Sequence, residues 1–443
     1  MDRTRASLQG CLRHPQKKIL KIKGLQLKCT VKSDLMLFSE ETIRENTVQV
    51  ERLSHSLFEK TLSGIHKGRL KSLLACASGL VRGNRLSITG IGRCILGQAK
   101  VRHKIKRVDR LANNKHLYYD KNSIYKEINK FFFKGMKRLI LLVDWTPFKH
   151  DRDYGVLRVT VVFNKCAITV YQEVSKYNDL INIKHQKRFL EQLKSCLPEA
   201  KQVIVISDMG FLSDWFRLVE SMGWDYLGRI RSDCKYSQEG KEWFLLGLST
   251  AASVAKRIKN CYVFRTKPLK TNLILFRKRK KKSKRKESNN PTIKQYQKSA
   301  RLPWYLVTSL DFPAEIICNL YSKRMKIEAT FRDIKSYRFG MGLNLSIQYT
   351  KSLIRREILL LIVHIAYCLL LLIGWVADKK DWLYDFQVNS KKNKRGLSLI
   401  SLGRQVIQHY LNKLKIRDIK AVPLDLEQNI TSIFNEWQFS GDA

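Results

Sequence analysis

The chain has 443 residues, 44% of them hydrophobic, with 84 Lys and Arg against 38 Asp and Glu and a formal net charge of +46. That much apolar content excludes a disordered chain and is enough for about two to four cored domains. The cationic excess points to a polyanion partner, because neutralising phosphates releases counterions, although a ribosomal protein or a repressor satisfies it equally well. Ten cysteines without a CxxC pair argue against a zinc ribbon and a disulfide framework, and favour the reducing cytosol. The N-terminus carries no apolar run, so no secretory signal is expected.

Residues 1–50 are basic and poorly periodic, and read as an extension that is either a flexible arm or a leader ahead of a start at Met36, with 1–35 dispensable. Residues 51–125 read as a helical DNA-binding domain. "RLKSLLACASGLV" and "LSITGIGRCIL" lead to a break at Gly97 and then "KVRHKIKRVDRLANN", a pair resembling a helix-turn-helix. In its second helix Arg102, Lys104, Lys106, Arg107 and Arg110 form a cationic face, while Val101, Ile105, Val108 and Leu111 recur at helical spacing. The alternative is an ordinary amphipathic surface helix.

The period then shortens. "RLILLVDW", "VLRVTVVF" and "AITVYQEV" predict a three-stranded meander, followed by a helix over 185–197, a strand over 201–208 and the helix "SDWFRLVESMGW". Residues 126–232 therefore read as the first part of a mixed α/β core. Residues 233–303 are strand-like and interrupted by "RKRKKKSKRK", a solvated loop that serves either as a solubilising or localisation tract or as a DNA-backbone contact. Residues 304–350 return to the core and 351–443 read as a helical region, with a basic loop at "DFQVNSKKNKRGLS". Within it, 358–377 has no Asp, Glu, Lys or Arg. By length it passes for a membrane span, but a helix apolar all round is equally a buried core helix, and the core reading is preferred.

Two apolar strands end in acids, Asp144 in "LILLVD" and Asp208 in "VIVISD", which places charge at the rim of a sheet where ligands have access. Either alone is an ordinary turn former; the pair is more informative. Downstream, Tyr321, Arg324, Glu328, Arg332 and Lys335 fall within an arc of about 80° on one helix. Leu320, Ile327, Phe331 and Ile334 line the flank that must be buried. The plain alternative for Glu328 is an i,i+4 pair with Arg324 or Arg332.

Tyr321, two residues, Arg324, three residues, Glu328, six residues, Lys335 resembles the Tyr-Arg-Glu-Lys signature of bacterial DDE transposases of the insertion-sequence-four family. "LVDW" and "SDMGF" look like the segments bearing that family's two aspartates. The likeness extends from about residue 57 to near 440. It implies a ribonuclease-H-like mixed-sheet catalytic core with a β-rich insertion, flanked by helical N-terminal DNA-binding and helical C-terminal regions. It also implies that Asp144, Asp208 and Glu328 are catalytic metal ligands for two Mg²⁺ ions, with Mn²⁺ substituting and Asp144 bridging the pair. Tyr321, Arg324 and Lys335 would grip phosphates, with Arg332 beside them. Trp304 would stack on a flipped base, or else be a core tryptophan on its strand.

The implied activity is cut-and-paste transposition of double-stranded DNA by hydrolysis, hairpin formation and joining of 3′-OH ends to target DNA. A homodimer would act in a paired-end complex, in the bacterial cytoplasm on the nucleoid and without a membrane. The chemistry agrees, since in-line displacement at phosphorus needs hard oxygen ligands converging on one point. The rival from another class is a non-catalytic or decayed DNA-binding regulator of the same element.

Overall fold

Long β-branched runs need a sheet that covers both their faces, and the chain supplies one. In the computed structural model, which describes residues 50–148, 151–249, 251–278, 302–335, 341–342, 350, 352–388 and 395–438, β1 (Arg138–Phe148), β2 (Asp151–Val162) and β3 (Ala167–Lys176) form an antiparallel meander. On the other side of β1, β4 (Gln202–Ser207) pairs parallel to it, and β5 (Asp225–Ile230) pairs parallel to β4. Apart from its first residue β4 is buried throughout, as a parallel strand between two helical layers must be. The strand β5 has no counterpart in the sequence reading, being too short and too interrupted by polar residues to stand out.

The sheet continues through β10 (Trp304–Thr308), antiparallel to β5, and then β9 (Leu269–Phe276), β8 (Lys256–Val263), β6 (Lys235–Ser237) and β7 (Phe244–Leu245). All ten strands form one sheet in the order β3-β2-β1-β4-β5-β10-β9-β8-β6-β7. The fold is mixed α/β, and the meander followed by parallel strands is consistent with a ribonuclease-H-like domain. The strands of 233–303 are joined edge to edge with the core through the β10–β9 pair.

The N-terminal helices are α1 (50–58), α2 (Lys67–Gly83), α3 (Ile88–Cys94), α4 (Val101–Ala112) and α5 (Lys115–Phe133). Helix α5 runs unbroken across the expected limit at 125. Helices α3 and α4 touch backbone to backbone, for a Cβ on Gly92 would lie 2.6 Å from Ile105 Cα. The turn between them uses Gly97 at φ +108°, where L side chains are strained. Val101 departs from the expected apolar stripe, being 50% exposed, whereas Val108 and Leu111 are buried. It is the first residue of the helix and has no preceding turn of α4 beside it. Helices α6 (Ile183–Cys196) and α7 (Ser213–Ser221) accompany β4 and β5.

Beyond β10 come α8 (Ala314–Ser322), α9 (Met325–Lys335), α10 (Leu353–Lys379), α11 (Leu383–Phe386), α12 (Leu399–His409), α13 (Ile416–Lys420) and α14 (Val422–Gln438). The membrane-like segment is the interior of α10, and its most apolar stretch is wholly buried. Helices α2, α4, α5 and α12 and strand β3 enclose it, which explains why it is apolar all round. It also covers the sheet's edge. Tyr367 Oη donates to the Ala167 carbonyl at 3.2 Å, and Glu357 Oε1 accepts the Val174 N–H at 2.7 Å while its other oxygen pairs with Lys121 at 3.1 Å. The N-terminal extension, most of the 277–291 run and the basic residues 391–394 lie outside the described residues.

Helices α10 and α12 cross through two glycines. A Cβ on Gly374 would meet the Leu399 carbonyl oxygen at 2.0 Å, and one on Gly403 the Leu370 carbonyl oxygen at 2.2 Å. Either Gly→Ala change forces backbones apart and is expected to cost about 3 kcal/mol or more, at the upper end of overpacking penalties. Denaturant unfolding checks it: a loss below about 0.5 kcal/mol would mean that the crossing adapts.

Candidate active site

The parallel pairing of β1 with β4 ends at Val143 opposite Ser207. Asp144 on β1 and Asp208 just past β4 are the next residues, so both acids stand at the level where that pairing ends. Strand β1 does not stop there, contrary to the sequence expectation. It runs on to Phe148 paired with β2 alone, Asp144 opposite Arg158 and Pro147 opposite Gly155, because β2 is longer than β4 on this side. Gly155 is required here: a Cβ would lie 2.7 Å from the Thr146 carbonyl oxygen and 2.9 Å from the Trp145 ring.

The continuous helix expected through Tyr321, Arg324 and Glu328 is two helices. Backbone bonds from Lys323 to Leu320, Arg324 to Tyr321, Lys326 to Lys323 and Ile327 to Arg324 are all of the tighter i→i+3 type that ends or joins helices. The expected buried flank survives the break, with Leu320, Ile327, Phe331 and Ile334 all buried. Tyr321 closes α8, Arg324 sits in the junction, and Glu328 lies in the first turn of α9.

One guanidinium gathers the three acids. Arg324 Nη2 donates to Glu328 Oε1 at 2.7 Å, and Nη1 lies 3.4 Å from Asp208 Oδ2 and 3.7 Å from Asp144 Oδ2. The i,i+4 pair is therefore real, but it is one arm of a larger cluster. The Arg324 side chain is 13% exposed and those of Asp144, Asp208 and Glu328 are 19%, 30% and 39% exposed, so the cation is inside and the acids face outward. Tyr321, itself buried, donates its hydroxyl to Asp208 Oδ1 at 3.3 Å, and the Trp145 N–H donates to Asp144 Oδ1 at 2.9 Å.

The electrostatics follow from this crowding. Burial above all, then Asp208 and Glu328, pushes the Asp144 carboxyl up to about 7 against the pull of Arg324 and the Trp145 N–H. Burial lowers the Arg324 guanidinium, but Asp208, Tyr321, Asp144 and Glu328 outweigh it and hold it above its ordinary value. Burial, then Asp208, raises the Tyr321 hydroxyl.

Among the described residues no three His, Cys, Asp or Glu side chains stand close enough together to hold a metal ion directly. The donor set nevertheless suits a hard divalent cation: three carboxylates from three elements, already collected by a positive group at their centre. Arg324 lies among these three carboxylates.

The other candidates divide. Lys335 Nζ donates to Thr146 Oγ1 and to the Pro147 carbonyl at 2.8 Å, tying the end of α9 to the extension of β1. Burial and then Arg158 lower its ammonium to about 8, with Asp144 opposing. Trp304 is half-buried, its ring 5.2 Å from that of Tyr321 and 5.5 Å from Phe276. Arg332 is exposed and makes no ion pair with the three acids among the described residues. On α4, Arg102, Lys106 and Arg110 are exposed and Lys104 half-buried. Arg107 is spent on structure, donating to Ser72 Oγ at 3.1 Å and the Lys71 carbonyl at 3.0 Å.

Arg158 escaped the sequence reading because it lies in a β-branched run with no acid or motif beside it. It is fully buried opposite Asp144, donates from Nε to Gln172 at 2.9 Å, and leaves both terminal nitrogens without a partner among the described residues. Its guanidinium lies 4.4 Å from the Phe331 ring centre, and Lys335 Nζ lies 5.5 Å from the same centre. Phe331 thus locks α9 over β2.

An unfolded Asp144 would ionise near 3.8, whereas the folded one holds its proton to about 7. Its contribution to stability is therefore complete below the lower value and lost as pH rises through the higher one. Asp144→Asn is expected to melt above the wild type in EDTA at about pH 8, the difference closing as pH falls toward about 4. A lower melting temperature at about pH 8 would mean that attraction to Arg324 outweighs burial.

A family model, the transposase DDE domain, matches residues 135–369, more than half the chain. The match takes in Asp144, Asp208 and the whole of α8 and α9. No curated protein matches the chain. With its acids gathered where the parallel strands end and its family match running through all of them, this chain belongs to the transposase DDE domain family.

Proposed function

We propose that the protein is a cut-and-paste transposase of the insertion-sequence-four family, similar to the transposase of transposon ten, acting on the terminal inverted repeats of its own element. The observation that carries this reading is the convergence of Asp144, Asp208 and Glu328 on one guanidinium, inside a transposase DDE domain. Asp144, Asp208 and Glu328 would hold Mg²⁺, two ions per site, with Mn²⁺ able to substitute. Bound there, the metal would supply charge stabilisation at the phosphorus and an activated attacking oxygen.

The chain's own residues do the rest. Lys335, fixed against β1 by Thr146 and Pro147, presents its ammonium beside Asp144, where it binds a phosphate next to the scissile bond. Tyr321 holds Asp208 and, with Arg324, lines the same wall. Trp304, whose ring packs near that of Tyr321, would stack on a base turned out of the DNA duplex. Water attacks first at the element's end, the freed 3′-OH attacks the opposite strand to close a hairpin, and a second hydrolysis opens it. The 3′-OH ends then attack target DNA. Each displacement passes through the same three carboxylates.

Arg102, Lys104, Lys106 and Arg110 serve as a phosphate-binding face on α4, and the homodimer joins two element ends. The protein would act in the bacterial cytoplasm on the nucleoid, and burial of the apolar segment in α10 supports reading that segment as a core helix, not a membrane span.

Glu328→Ala is expected to lower metal-dependent nicking and hairpin formation on a terminal-repeat duplex by on the order of 10³-fold, comparable to the loss of one key electrostatic group, while gel-shift affinity persists. Equal shifts without cleavage by either protein would leave only a DNA binder. On α4, each of Arg102→Ala, Lys106→Ala and Arg110→Ala is expected to reduce the slope of log K against log salt by about 1. Arg107→Ala should instead lower the melting temperature, since its bonds are internal; unchanged slopes for the first three would remove α4 from the interface.

A further inference from the structure

Three carboxylates in a half-closed cleft repel one another unless a cation stands between them. Resting on the active-site reading above, we propose that Arg324 is an exchangeable internal counter-cation. It lies among the three acids in the DNA-free protein, in competition with metal, and is drawn away when a DNA phosphate accepts it.

Three observations carry this. Arg324 is the one basic side chain paired with any of Asp144, Asp208 and Glu328 among the described residues. The other nearby cations pair with none of the three acids among the described residues: Lys335 donates to Thr146 and Pro147, and Arg158 donates from Nε to Gln172 and lies over Phe331. Second, the grip is uneven. The contact with Glu328 is a hydrogen bond at 2.7 Å, but those with the aspartates, at 3.4 and 3.7 Å, are longer than charge-assisted bonds of good geometry. Such a group holds the acids together without saturating their oxygens. Third, Arg324 sits at the i→i+3 junction between α8 and α9, outside either regular helix, and such tight stretches between helical segments often mark hinges.

A guanidinium keeps its charge at all relevant pH and binds carboxylate and phosphate with the same fork. Metal and Arg324 therefore compete for the three acids, while phosphate and the acids compete for Arg324. The two competitions are linked: DNA that draws Arg324 away raises the affinity for metal, and metal that displaces Arg324 raises the affinity for phosphate. The protein off DNA is then protected from loading metal and cutting at random.

The test is calorimetric titration of Ca²⁺, which takes oxygen ligands, into the full chain at about pH 8, with and without a duplex carrying the element's end. In the absence of DNA, Arg324→Gln is expected to bind Ca²⁺ at least about tenfold more tightly than the wild type, and its gain from added duplex is expected to shrink. Arg324→Lys, which keeps the charge but loses the fork, should fall between the two and serves if the glutamine variant is unstable. Equal or weaker binding by both variants would overturn the proposal, showing that Arg324 organises the acids and does not compete for them, and would leave the transposase reading intact. No Ca²⁺ binding by any of the proteins, even with duplex, would instead remove the metal site on which both rest.

Discussion

Bringing three negative side chains to one point in a partly closed cleft is the constraint around which this molecule is arranged. The sheet delivers two of them by ending a parallel pairing at the same level on β1 and β4. The third arrives on a separate helix, packed against β2 through Phe331. Repulsion among the three is met locally, by a guanidinium from the junction just before that helix. The raised Asp144 carboxyl records its burial first and, after that, the neighbouring charges of Asp208 and Glu328. Active sites commonly keep such electrostatic strain because the function needs the charge where the fold would prefer none.

The parts of this arrangement visible in the amino-acid sequence were those set by a sharp change in character. An apolar run stopping at an acid marked Asp144 and Asp208, since burial ends where the parallel partner ends. Helical spacing marked the buried flank of Leu320, Ile327, Phe331 and Ile334. The break between α8 and α9 was not visible, because nothing between Ser322 and Met325 is a helix breaker; the junction is made by tertiary packing, not by Gly or Pro. Arg158 was hidden for a related reason. A cation within a strand normally signals an exposed face, and only the stack on Phe331 makes it a buried one. On α4 the charge count overstated the exposed cationic face, because Arg107 is turned inward onto α2.

The sheet also departs from the layout suggested by composition alone. The weakly patterned strands of 233–303 do not close on themselves as a separate body but lengthen the catalytic sheet through the β10–β9 pair. Trp304, the first residue of β10, is therefore at once a ladder partner of Phe276 and a ring neighbour of Tyr321. A single residue thus joins the outer strands to the residues around the three acids.

The long apolar helix α10 carries a hazard of a different kind. While the chain is being made, twenty uncharged residues emerging together invite aggregation or misdirection to a bilayer. The order of the elements limits that exposure. Helices α2, α4 and α5 and strand β3, which enclose α10, all precede it in the chain and leave the ribosome first. Most of the cradle is synthesised before its occupant, while the glycine-crossed face against α12 and the contacts with α13 and α14 wait for later residues.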